Sequence, residues 1–589
     1  MASEEENRES RQIDWSVLSG SYVSRRTLLK LMALASAAGI TAACAPNAAP
    51  TAAPPTSAPA TNIAPTAAAA ATAAPTQAAP SGAPKAGGTV RIINSGGGTN
   101  PIIDNEVLIW SIFDALVQQD INADIHPGLA ERWDVTPDGT VFTFFLRNDA
   151  KWTDGQAIDA DDVIFTFNKV MDPDVQAWGR RWFGTVLDKW EALDKYTVKF
   201  TMKQPAAPLL DHFAEQRIAP EHIMGKLSAK ELNEGDLRRN APVSSGPFKF
   251  VQLVPDTVVI TQRNDSYYMP RGSNDYRYVP WIKQLEFHFW GDPNVNLLKM
   301  ETGERDAHVL TMTRPEHDRL AQNPNINIQV FPVGIYNYIY MNNENLLFSD
   351  KRVRQAIAYA IDKKTIVDTV LGPIGQVQDS FLDPADWAYK PDVKKYEFDP
   401  AKAKQLLAEA GWTAGSDGVL TKDGARFEFE AWAQPQNEVA EPIQSYLKDV
   451  GIVMKIRPID WPAIVDELAK PNFVAAEQND GYEAYPDRRH RWHSSNVPPK
   501  GVNVARYKNP ELDKILDEAW ATTDRAKLKE LYWKMQDILV EDLPWVPIFY
   551  PLMVQATSKR LNGTEPGALY FVQTACKWWV SDATDPEKA

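Results

Sequence analysis

The sequence predicts a mixed α/β protein of two or three packed units. Three observations carry this. The length of 589 residues exceeds what one hydrophobic core supports. Short runs of β-branched and aromatic residues recur along the chain. Between them stand amphipathic stretches opened by Asp or Asn and closed by Gly. The composition, 44% hydrophobic and 24% charged, is that of an ordinary globular protein. A net charge of −15 argues against nucleic acid as a partner, because phosphate binding needs basic patches. It argues equally against adhesion to anionic lipid by charge alone.

The first ninety residues read as an address and a tether. Ser24-Arg25-Arg26-Thr27-Leu28-Leu29-Lys30 precedes a weakly apolar run from Leu31 to Ala43, too short and Ala-rich to span a membrane. The pair Arg25 and Arg26 resembles a twin-arginine export signal. The small residues before Cys44 resemble a lipoprotein processing site, although Thr41 stands where Leu is usual. The resemblance implies cleavage before Cys44 and acylation of its thiol; an uncleaved signal anchor is the alternative. Residues 1–44 are therefore expected to be the export signal and lipobox. Residues 45–88 are almost entirely Ala, Pro, Thr and Ser, so they bury no core and form an extended linker. The other cysteine, Cys576, beside Trp578 and Trp579, reads as a buried thiol without chemistry.

Folded structure is expected from Gly88. Thr89 to Ile93 reads as a strand before the glycine triplet Gly96-Gly97-Gly98, which lacks the Lys-Ser/Thr ending of a phosphate loop and reads as a turn. Val141 to Leu146 and Leu285 to Phe289 also read as strands. Asp159 is a candidate N-cap with Asp162 three residues on, and Val163, Phe167 and Val170 share one face. Asp399-Pro400 and Asn509-Pro510 each open a helix, with Gly411 closing the first. A helix is expected from Ser349 to Val370, burying Val353, Ile357, Ala360 and Ile361 and exposing Lys351, Arg352 and Arg354.

Three stretches carry more than class. The first runs from Pro127-Gly128-Leu129 through Pro137-Asp138-Gly139, Trp152-Thr153-Asp154-Gly155 and Ala160-Asp161-Asp162-Val163. The second is Val243-Ser244-Ser245-Gly246-Pro247-Phe248, running on to Arg263-Asn264-Asp265-Ser266-Tyr267-Tyr268. The third is Asp350-Lys351-Arg352-Val353-Arg354-Gln355-Ala356 through Asp362, then Asp399-Pro400-Ala401 to Ala410-Gly411-Trp412. In order and at this spacing they resemble the family 5 extracellular solute-binding proteins, the peptide- and nickel-type binding subunits of ABC importers. The match runs from about Thr89 to about Pro551.

The resemblance implies a two-lobed fold of the type II periplasmic-binding-protein kind, with a ligand cleft between the lobes and an extra inserted domain. On that pattern residues 89–130, 241–330 and 541–589 form lobe I, residues 131–240 the inserted domain and residues 331–540 lobe II. In peptide-binding relatives a carboxylate near a Tyr-Pro-Asp stretch holds the ligand's amino terminus. Tyr485-Pro486-Asp487 matches, which makes Asp487 the candidate and Tyr485 its neighbour; an ordinary Pro-Asp turn is the other reading. The family more often continues with another Asp and an Asn, whereas this chain continues Arg488-Arg489-His490-Arg491-Trp492. These arginines, Arg489 among them, are able to receive a carboxylate or phosphate or to lie in solvent. Trp110, Trp290, Trp432, Trp461 and Trp492 are candidate cleft aromatics, with core packing as the alternative for each. Glu106 falls in a segment that lines the pocket in some relatives.

No catalytic residue, metal ligand or cofactor is expected. The sequence has no nucleophile elbow, no His-Glu-x-x-His and no cysteine–histidine pair, and of eight histidines only His490 and His493 lie close together. The expected function is therefore not enzymatic. It is a monomeric substrate-binding lipoprotein on the outer side of the cytoplasmic membrane, capturing oligopeptides by hinged closure and passing them to a permease and its ATPase. Oligosaccharides are the alternative ligand. A secreted glycan-active enzyme and a ligand sensor are the alternatives of another class.

Overall fold

The computed structural model describes residues 84–583, apart from 95–97, 105–106, 121–123, 207–208, 235–242, 272–276, 311, 436, 481–486 and 568–570. The export signal with Arg25, Arg26 and Cys44, and nearly all of the linker, lie outside the described residues. So do Glu106 and Tyr485.

Two large sheets organise two lobes. The first has seven strands in the order Ile326–Phe331, Met553–Ser558, Ala307–Leu310, Thr89–Asn94, Gln284–Phe289, Val258–Arg263 and Phe248–Val254. Thr89–Asn94 runs parallel to both of its neighbours, with Val90 opposite Leu285 and Ile92 opposite both Phe287 and Ala307. The second has six strands in the order Gly375–Val377, Val546–Pro551, Tyr336–Met341, Ala475–Asp480, Glu428–Ala433 and Val453–Pro458. A four-stranded antiparallel sheet, Ala130–Val135, Val141–Leu146, Thr197–Met202 and Leu187–Asp194, falls within the expected inserted region. Its buried Phe142, Phe144 and Phe200 join Val90, Ile92 and Phe287 of the first sheet in one apolar core. The second sheet has its own core, built around Tyr338, Tyr340, Trp492 and Trp545.

One expected boundary moves. The family pattern puts residues 541–589 in lobe I, but Val546–Pro551 pairs antiparallel with Tyr336–Met341 of the second sheet. The chain crosses at Leu552, and the next strand, Met553–Ser558, enters the first sheet. The alternation of neither strand distinguishes the two sheets, because Val546–Pro551 is buried on both faces.

Local signals place most elements. Asp159 caps the helix Ala160–Met171 in a capping box with Asp162. Asp399 and Asn509 cap Pro400–Glu409 and Pro510–Trp520, and Gly411 turns the chain at φ +90°. The helix expected from Ser349 to Val370 is in fact broken. Lys351–Ala360 ends where Ile361 becomes extended, and Asp362 caps a new helix, Lys363–Ile366. Arg354 also departs from expectation. It is buried and donates to the carbonyls of Phe348, Ser349, Asp542 and Leu543, closing the end of the helix Arg525–Asp542. A long side chain with several donors fits there because the orphan carbonyls accept them. Cys576 is buried, as expected of an inert thiol. No helix among the described residues is long and apolar enough to cross a membrane.

Candidate functional site

The Ser245-Gly246-Pro247 turn shows how sequence builds the first lobe's inner side. The nitrogens of Ser245 and Gly246 both donate to Ile112 O, and Ser245 Oγ accepts from Asp114 N at 2.8 Å. A Cβ on Gly246 would stand 2.7 Å from Ser111 O, so only glycine lets the two segments meet. This clamp fixes Asp114, whose carboxylate is fully buried. It accepts from Arg277 at 2.7 Å, from Tyr268 Oη at 2.6 Å and from Gln118 at 3.3 Å. Trp110 lies in the same layer. It is buried in the core, with the Arg217 guanidinium 5.2 Å from its ring.

The second lobe supplies a polar layer along Ala475–Asp480 and the segment that follows the Tyr-Pro-Asp stretch. Asp487 is half-buried and its carboxylate accepts from Arg489 N at 3.0 Å. Burial pushes its carboxyl up, opposed by His490, Arg488 and Arg489. Arg488 is buried and donates to Tyr336 Oη at 2.8 Å, which also accepts from Asp383 N. Asp383 and Asp386 stand beside this arginine. Burial pushes them up to about 6 and about 7, and Arg488 opposes the shift. Arg491 pairs with Asp480 at 2.9 Å, both buried. Arg489 pairs with Asp517 at 2.8 Å. Arg489 and Arg491 thus each hold a carboxylate of the protein itself, where the sequence left ligand anion and solvent open.

Glu477 lies fully buried on the same strand. Its carboxylate accepts from Asn337 at 2.6 Å and from Asn437. Asn437 in turn lines a surface pocket with Pro435, Glu438 and Glu441. Trp432, on the neighbouring strand, is nearly buried, tilted against Phe473 at 5.8 Å, and its Nε1 has no partner within the protein. Trp492 packs edge-on against Phe381 and Trp545 inside the core. Trp461 is partly buried against the same core, and Trp290 is exposed beside His308 on the first sheet.

The structure therefore brings Asp487 and Arg489 together in one turn. Trp432 stands on another strand of the same lobe, and Trp110 lies apart in the core of the other. Sequence reading missed Tyr336, Asp383, Glu477 and Arg217. Their signal is weak: none belongs to one of the three family-like stretches, and only the fold shows which side chains they meet.

The lobes meet through residues of the second lobe that reach the first. Trp520 packs against the first core. Arg525 pairs with Asp124 at 2.5 Å while its guanidinium stands 4.7 Å from the Trp387 ring.

Comparison with known proteins gives four findings. Residues 124–504 match the model of the bacterial extracellular solute-binding proteins, family 5 Middle. The chain is 30% identical over 491 residues to the oligopeptide-binding protein AppA of Bacillus subtilis, covering 81% of this chain and 87% of that one. The solved structure of AppA from Bacillus subtilis in complex with a nonapeptide superposes with a TM-score of 0.68 at 28% identity, covering 85% of this chain and all of that one (100%). The periplasmic binding protein DppA of Helicobacter pylori in complex with the peptide STSA gives 0.67 at 25% identity, over 85% and 99% of the two chains.

Proposed function

The chain belongs to the bacterial extracellular solute-binding proteins of family 5, and on that basis we propose that it captures oligopeptides between its lobes and delivers them to an ABC permease. The observation that carries the peptide reading is the 30% identity, across most of both chains, to a protein named for binding oligopeptides. A second support is the solved complex of such a protein with a nonapeptide.

In this reading the open form exposes a wet cleft. A ligand that touches both lobes has a higher affinity for the closed form and shifts the population towards it. Trp520 and the Arg525–Asp124 pair are contacts of the closed arrangement. Asp487 receives the ligand's ammonium, each compensating the other's desolvation. Arg489 holds the turn that carries it. No bond of the ligand is made or broken. Lobe I takes residues 89–130, 241–330 and 552–589, the inserted domain 131–240, and lobe II 331–551.

The proposed location is the outer face of the cytoplasmic membrane. The signal at Arg25 and Arg26 exports the chain, and an acylated Cys44 holds it there through the 45–88 linker. The protein acts as a monomer, and its partners are the permease and the ATPase that drives release.

Isothermal titration of the purified full chain with mixed-sequence tri- to pentapeptides tests the reading. Stoichiometric binding without change to the peptide, weakened about tenfold or more by Asp487→Asn, is the expected result. Hydrolysis of the peptides, or no binding of any, contradicts it. A Cys44→Ala chain is expected in the soluble fraction instead of the membrane.

A further inference from the structure

Arg217 of the inserted region and Arg277 of the first lobe are two buried cations that act on each other beside one buried carboxylate. Arg217 and Arg277 are both about 1% exposed, and the fully buried carboxylate in their layer is Asp114. Asp114 is already occupied by Arg277, Tyr268 and Gln118. The other carboxylate acting on Arg217, Glu215, stands 3.6 Å from the His212 ring. Arg217 itself makes one weak hydrogen bond, from Nη1 to Gln118 Oε1 at 3.4 Å, and rests over Trp110. Its Nε and Nη2 are buried and have no partner within the protein.

Those two atoms are not an arbitrary pair. They form the side-on edge of a guanidinium, whose two parallel N–H bonds match the two oxygens of a carboxylate or phosphate. Gln118 and Trp110 hold the opposite edge and one face, so the fork is fixed in place. A buried guanidinium with that edge unpaired is costly, and an anion meeting it removes the cost. Burial, with Arg277 as second cause, pushes Arg217 down to about 9, the direction expected of a cation lacking a counter-charge. The surroundings place Gln118, which holds the opposite edge, on an element whose neighbour reaches the other lobe. Gln118 lies on Val117–Gln119, which pairs with Ile125–Pro127, and Asp124 at the start of that hairpin partner reaches Arg525 of the second lobe.

We infer that the Nε and Nη2 edge of Arg217 is a binding site for an anionic group, a carboxylate or a phosphate. Assigning that group to the captured solute rests on the function proposed above. Trp110 then serves the ligand indirectly, by holding Arg217.

The test uses the full chain, with Arg217→Gln and Arg217→Lys as variants; the lysine keeps the charge and loses the fork. Two probes separate the sources of the anion. One is inorganic phosphate at constant ionic strength, read by thermal unfolding. The other is a set of tri- to pentapeptides with free or amidated C-termini, read by titration. The expected result is that phosphate raises the unfolding temperature, or that free-carboxylate peptides bind roughly ten- to hundredfold more tightly than amidated ones. In both variants that effect is lost. A phosphate effect marks a site for small anions, and a terminus effect marks one for the ligand's carboxylate. Responses to both probes that are the same in wild type and variants overturn the site. Peptides that bind equally whatever their terminus and whatever stands at 217, with no phosphate effect, remove the site and leave peptide capture standing. Phosphate that protects the wild type alone, with no peptide bound, keeps the site and removes peptide capture.

Discussion

Asn337 donates its side-chain amide to the Glu477 carboxylate at 2.6 Å, across two adjacent antiparallel strands of the second sheet, and both residues are buried. Burial pushes the Glu477 carboxyl up to about 7 from 4.5, and the bonds from Asn337 and Asn437 oppose it. The folded state thus favours the protonated acid. Its contribution to stability is complete below pH 4.5 and is lost as the pH rises through about 7. Urea unfolding at pH 5 and pH 8 is expected to show the wild type losing up to about 3 kcal/mol more than Glu477→Gln. Equal losses in the two proteins would contradict the burial account.

His308 has the opposite sign. It is buried, and burial pushes its ring down to about 3 from 6.5. The unfolded chain binds the proton first, so this contribution is present above pH 6.5 and is lost as the pH falls towards 3. His308→Gln is expected to lose less stability than wild type between pH 7 and pH 5 in the same unfolding assay.

Gly246 is expected to tolerate no side chain. A Cβ would meet the backbone of Ser111 and Ile112 at 2.7 and 2.8 Å, closer than a carbon is accommodated without a backbone shift. Gly246→Ala should cost about 1–3 kcal/mol. Gly291→Ala, with no atom within 4 Å of the added carbon, serves as a neutral control. Thermal unfolding checks both.

Asp162 joins three elements. It accepts from Trp152 Nε1 at 3.1 Å, from Asp159 N at 3.2 Å and from Glu221 N at 2.9 Å. Asp162→Ala leaves buried donors unpaired and removes half of a capping box, for a loss of about 3 kcal/mol. Asp162→Asn should cost less, because one oxygen still accepts.

Trp520 holds the second lobe against the first core. Small-angle scattering of Trp520→Ala is expected to give a larger radius of gyration than wild type, recovered when peptide is added. Arg525→Ala should shift it less, since an exposed pair contributes about 0–1 kcal/mol. A radius unchanged in both variants would argue against closure through these contacts.

The two-lobed fold was readable because its signals are local or ordered along the chain. Asp159 with Asp162 and Asn509-Pro510 each fix one cap through contacts within reach of a motif. The site was less readable because it is assembled from distant segments. Tyr336, Asp383 and Arg488 meet at one hydroxyl although Tyr336 and Arg488 stand 152 residues apart. Arg354 looked solvated because helical spacing gives a face, not its neighbours, and the end of Arg525–Asp542 fills that face. The same limit hid the Leu552 crossing, since both flanking strands are largely buried.

Native mass spectrometry of the full chain, purified from cells grown in rich medium, tests peptide capture most directly. The account predicts bound species whose masses differ by amino-acid residues and which are released intact on denaturation. A series spaced by hexose units, or hydrolysed fragments of an added peptide, would contradict it.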